Sequence, residues 1–188
     1  MTQKCGALMV SCGPVLRFLA GAVAVIAIAA TTQVGAQDCQ QWRTAFAGMR
    51  SGSVTIVSGD QKVQFPVKVA DDDQRRAAGF QCATRDEIEH TKILFDFGLE
   101  IMTAFHMQNV VAPLDIAFAK ADGKIFSIQR MTPSPTALYQ PMGAFRYAVE
   151  THAGFFERAG IRAGQARLVI ARGDKSSSLE TAVSATID

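Results

Sequence analysis

The sixteen residues DIAFAKADGKIFSIQR, from Asp115 to Arg130, constrain this chain more than any other stretch. Apolar residues alternate on either side of Asp122-Gly123, a pair suited to a tight type I′ turn in which both positions need positive φ. A two-residue loop opposes Ala119 to Phe126, Ala117 to Ile128, Phe118 to Ser127 and Ile116 to Gln129. One face of this hairpin pairs small residues with large ones. The other still carries Ile116, Phe118 and Ile125. A hairpin apolar on both faces needs cover on both sides, as in a small closed barrel with flanking elements.

The neighbouring segments fit that frame. VTIVSGDQKVQFPVKVA (residues 54–70) holds two alternating runs around Ser58-Gly59-Asp60-Gln61, with Val63, Phe65, Val67 and Val69 on one face. Pro66 donates no hydrogen bond, which places its strand at an edge or a bulge. In DDDQRRAAGF an Asp at 71 or 72 caps a short helix that Gly79 ends, with Arg75 and Arg76 solvated. TKILFDF (91–97) reads as a buried strand broken by Gly98. FRYAVE (145–150) and ARLVIA (166–171) are further strands, with a one- to two-turn helix in THAGFFERAGI between them. The three prolines of MTPSPTALYQPMG mark a loop. Gln40–Met49 is a short helix or an ordered lead-in, with Trp42 as a packing anchor. The fold class expected is α+β, mainly β: a small barrel-like mixed or antiparallel sheet with one or two short flanking helices.

The chain begins with an expected export leader. Lys4 and Arg17 supply positive charge, the apolar run FLAGAVAVIAIAA spans Phe18–Ala30, and Val34 and Ala36 occupy small-residue cleavage positions. A run of this length fits a cleaved segment better than a membrane span, the alternative being an uncleaved anchor. The expected division is leader 1–36, lead-in 37–53, β-rich domain 54–172 and a loose tail 173–188. The full chain has 19 Lys+Arg and 17 Asp+Glu. Removing the leader's two bases leaves 17 of each, so the exported part is near neutral. With no basic stripe, nucleic-acid binding is not expected. The expected product is a periplasmic or extracellular monomer with no membrane span after cleavage. Cys5 and Cys12 fall in the leader. Cys39 and Cys82 remain as a candidate disulfide, the alternative being two free thiols.

The pieces VKVADDDQRRAAGF, ILFDF, MQNVVAPLDIAF, ADGKIFSI, YAVE and AGFFERAGIRAG, in that order, resemble the bacterial domain of unknown function 192 family over about Val63–Leu168. The resemblance implies a mainly β, barrel-like domain with one or two short helices, and no known activity. Where the family shows Trp-Met-Lys-Asn-Thr, this chain has HMQNV. His106, Gln108 and Val110 therefore replace an indole, a lysine charge and a threonine, while Asn109, Pro113, Leu114, Asp115 and Glu150 match.

Four polar residues are candidates for ligand binding: His106, Asn109, Asp115 and Glu150. Asp115 precedes a strand that should be buried, so its carboxylate must find donors or take up a proton. It either caps backbone amides of the NVVAPLD turn or grips a ligand, and Asn109 has the same two options. Glu150 caps the following helix or pairs with Arg146 or Arg162, unless it stands beside Asp115 as an acid–base pair. His106 could join His152 and Asp115 at a metal, but no HxH, HxxxH or HExxH spacing exists, and neither a metal nor another cofactor is expected. Cys82 has no evident partner base, and there is no GxSxG turn, P-loop or dinucleotide fingerprint. The favoured expectation is a non-catalytic envelope module that binds a small ligand, a glycan or an envelope protein through 106–115 and 145–155. The alternatives are a hydrolase-like enzyme using Asp115 and Glu150, and an envelope assembly or stability factor.

Overall fold

A computed structural model describes residues 31–170, with side chains from Cys39 onward. The apolar run Phe18–Ala30 and the tail from 171 lie outside the described residues. The strand expected to be covered on both faces, β5 (Leu114–Ala119), is buried at every position. It lies between β6 (Ile125–Met131) and β8 (Phe145–His152) in a sheet that continues through β3 (Ile93–Ile101), β2 (Gln61–Ala70), β1 (Arg50–Ser58) and β9 (Ala166–Ile170). Neighbours are antiparallel except β2 and β3, which pair in parallel over Lys68–Ala70. A parallel pair needs a crossover. Here the crossover consists of α2 (Asp73–Ala78) and α3 (Arg85–His90).

The seven strands curl into a half-barrel. Its interior is packed by Val54, Ile56, Val67, Leu94, Ala117, Ala119, Val149 and Leu168, with Phe156 from α4 (Phe155–Arg158) among them. A second apolar layer covers the outer face of β3, β8 and β5. It is built from Phe46 of α1 (Thr31–Ala47), Ala78 of α2, Ile88 of α3, and Phe105 from the two-stranded flap of β4 (Phe105–His106) and β7 (Leu138–Tyr139). At one end the sheet's two edges meet. Lys124 bridges Arg167, and the Leu168 N–H donates to the Gly123 carbonyl over 2.7 Å.

The register agrees with the hairpin reading at Ile116–Gln129, Ala117–Ile128 and Phe118–Ser127, then departs from it: Ala119 faces Ile125, not Phe126. The loop is three residues, Ala121–Gly123, and among the described residues Asp122 is not at positive φ while Gly123 is, at 87°. The extra residue is Phe126, bulged on β6 between the Ala119–Ile125 and Phe118–Ser127 pairs. Gly98 does not end β3. The strand continues to Ile101 through an irregularity, with Gly98 at φ 75°. Pro66 pairs with Ser53 on β1 and lies beyond the short β2–β3 ladder, so its missing N–H breaks no bond. The lead-in is helical through Ala47, its last residues from Arg50 belong to β1, and Trp42 packs against the outer layer. Arg85–His90 is a helix. Its capping box was legible in TRDE: the Glu87 N–H donates to Thr84 Oγ1 at 3.1 Å and the Thr84 N–H to Glu87 Oε2 at 2.7 Å.

Candidate ligand cavity at Glu150

Strand β8 alternates its side chains across the sheet. Tyr147 and Val149 enter the half-barrel, while Ala148 faces the outer layer. Glu150 shares that outer parity and lies opposite Ile93 and Ile116, both members of the outer layer. Its residue is 4 % exposed, and its Oε2 is the one buried side-chain polar atom without a hydrogen-bond partner among the described residues. Burial alone pushes its carboxyl up to about 8, so the acid is mostly neutral at pH 7.

The acid faces a cavity of about 190 Å³ between the sheet, the segment after α2, and β4. Gly79 leaves it room: a Cβ there would lie 3.5 Å from Glu150 Oε2, and its backbone at φ 45°, ψ −130° suits only glycine. Four phenyl rings line the space, from Phe80, Phe95, Phe97 and Phe105. Phe105 meets Phe95 edge-on at 5.1 Å and Phe97 at 6.4 Å between centroids. Gln81 contributes an amide already engaged, donating to the Ala77 carbonyl at 2.7 Å and accepting from Asn109 Nδ2 at 3.2 Å. Arg76 was read as solvated but is partly buried in the cavity wall. Its guanidinium lies 5.2 Å from the Phe97 centroid and donates to the Asp96 carbonyl at 2.9 Å and to Asp73 at 2.6 Å.

The four candidate residues have separate positions. His106 is exposed on the cavity rim, and its Nδ1 accepts from the Gln108 N–H at 3.3 Å, which leaves the proton of a neutral ring on Nε2. Asn109 stands behind the wall, bracing Gln81 rather than lining the space. Asp115 lies opposite Thr151, one rung from the Glu150 pairing, and therefore points to the other face of the sheet. There it accepts from the Gly154 N–H at 2.7 Å and from the Arg130 guanidinium. No carboxylate pair forms, so the geometry for the acid–base alternative is missing. His152 is apart from both, against Arg158 and Phe155. Among the described residues no three His, Cys, Asp or Glu side chains cluster as a metal site, and no helix is long and apolar enough to cross a membrane.

Cys39 and Cys82 are joined as a disulfide. With Arg43, which donates to the Cys82 carbonyl at 3.0 Å and pairs with Glu87 at 3.1 Å, it fixes α1 to the segment that presents Phe80 and Gln81 to the cavity.

The family model for DUF192, described as an uncharacterized ACR, matches residues 54–168. The chain belongs to the DUF192 family. The matched span runs from β1 to β9, so every strand of the DUF192 half-barrel and the whole cavity lie within it or on its border. No curated protein matches the chain. A crystal structure of a candidate transcription regulator from Sinorhizobium meliloti 1021 is similar at 26 % identity, with a TM-score of 0.60 over 65 % of this chain and 95 % of that one. A protein of unknown function from Novosphingobium aromaticivorans DSM 12444 shares the fold at 23 % identity, with a TM-score of 0.59 over 65 % of this chain and 87 % of that one. The aromatic wall was partly readable: alternation in ILFDF sets Phe95 and Phe97 on one face. Arg76 and Gln81 carried no local signal and Gly79 only that of a helix stop, because their role at the cavity depends on the crossover folding back onto β8.

Proposed function

We propose that this DUF192 domain is a non-catalytic module of the cell envelope that binds a small ligand in the Glu150 cavity. The observation that carries the reading is a buried acid with an unpartnered Oε2 in the wall of a cavity that phenyl rings also line. A buried polar group without a partner costs about 1–3 kcal/mol or more, and a ligand that supplies the partner recovers it. The envelope setting rests on the leader expected from the N-terminal sequence and is compatible with the disulfide. The hydrolase alternative loses its support because Asp115 and Glu150 occupy opposite faces.

The test is a fragment screen by NMR on the oxidised domain. Fragments of a few heavy atoms are expected to perturb Thr103, Val110 and Glu150, and a Thr103→Phe variant that narrows the mouth is expected to abolish the effect. Perturbations that ignore this substitution, or that map to the opposite face around Asp115, would defeat the reading.

A further inference from the structure

Resting on that reading, we propose that the cavity takes a small organic ammonium, held by the Glu150 carboxylate and the faces of Phe80, Phe95, Phe97 and Phe105. Oε2 is buried and unpartnered, Glu150 lines the cavity, and among the described residues no cation pairs with it. The charged or titratable side chains that also line the cavity are Arg76 and His106. Arg76 is committed to Asp73 and the Asp96 carbonyl, and His106 sits on the exposed rim. Phenyl faces attract cations through their quadrupole, and Arg76 already occupies such a seat over Phe97. An ammonium therefore meets both things the cavity lacks: a donor for Oε2 and a positive charge that allows the acid to ionise. Binding transfers the Glu150 proton to water and leaves an ammonium–carboxylate pair whose mutual attraction water screens little. The small volume restricts the ligand to a short alkyl or aryl body.

The experiment uses n-butylammonium, n-butyramide and n-butyrate as probes of the wild-type domain, followed by NMR titration from pH 6 to 8.5. An alkylammonium stays charged across this range. With the acid at about 8, n-butylammonium affinity is expected to rise roughly fifty-fold between pH 6 and 8 and then level off. Glu150→Gln, which keeps the shape of the neutral acid, is expected to remove that rise and weaken binding at pH 8 by at least about tenfold. The rise should remain in His106→Gln, which excludes simple repulsion by a protonated rim histidine. Tighter binding of the amide or butyrate, or ammonium affinity that does not rise with pH, overturns the ligand class and leaves the cavity reading standing. Failure of all three probes also overturns the class, while the fragment screen decides separately whether the cavity binds anything.

Discussion

Cys82 and Asn109 are the two non-glycine residues at positive φ among the described residues, and each steadies the other: the Cys82 N–H donates to the Asn109 carbonyl over 2.8 Å, and both have φ of 57°. Asparagine tolerates this region better than other residues with a Cβ. Its amide also braces Gln81 at the cavity wall. Asn109→Ala is expected to lose about 1–2 kcal/mol of stability from the backbone strain and the missing bond. Asn109→Gly, which relieves the strain, should lose less. Urea denaturation of both variants measures the difference, and equal losses would show that the backbone conformation is not the cause.

The disulfide closes a loop with a sequence separation of 43. On the chain-entropy model such a link is worth about 4 kcal/mol. Reduction, or a Cys39→Ala/Cys82→Ala double variant, is expected to lower the denaturation midpoint accordingly. It should also loosen α1, read as faster amide exchange around Ala45 and Phe46, with the β5–β8 ladder changed less. Uniform loss of protection would contradict the local role.

Glu150 gives a signed pH dependence. Its folded pKa, about 8, lies above its unfolded value near 4.5, so the folded state holds the proton more tightly. Its contribution is therefore fullest below about pH 4.5 and falls as the pH rises toward 8, by roughly 1 kcal/mol per unit. Subtracting the stability of Glu150→Gln from that of wild type at pH 5, 6, 7 and 8 isolates the effect. The difference is expected to fall steadily, and a flat difference would mean that the acid is not buried and neutral.

Asp115 acts in the scaffold rather than the cavity. It joins Arg130 to the buried Gly154 N–H that opens α4. Asp115→Ala leaves that donor unmatched and is expected to cost about 2–3 kcal/mol, whereas Asp115→Asn keeps an acceptor and costs about 1. Arg130 is half exposed, so its share of the pairing is small. Neither variant should shift the NMR signals of Thr103 or Val110, and perturbation there would join the two faces functionally.

Gly123 closes the half-barrel. A Cβ there would lie 2.2 Å from the Leu168 carbonyl oxygen, on top of the strain of φ 87°. Gly123→Ala is expected to cost more than about 3 kcal/mol, with exchange protection lost first at Leu168. Protection lost first elsewhere would argue against a seam at this point.

Much of this molecule follows from the sequence alone. Period-two patterns set the strands and their inward faces, because alternation is a property of the extended chain itself. The two-sided apolar character of Ile116, Ala117 and Phe118 required a covered sheet, and the DUF192 motifs agree with that fold. Glu150 and His106 were visible as polar residues worth attention. What the sequence could not decide was their company. Asp115 and Glu150 looked equally suited to a shared site, yet the register sets them one rung out of phase, and a single residue's offset reverses the face. The cavity depends on the parallel crossover carrying Arg76, Gly79 and Gln81 back over β8, a placement made by long-range packing and reinforced by the Cys39–Cys82 link. Burial that raises a carboxyl's pKa is a property of everything folded around it, so only the tertiary structure could distinguish the acid that faces an open space from the one tied to Arg130 and Gly154.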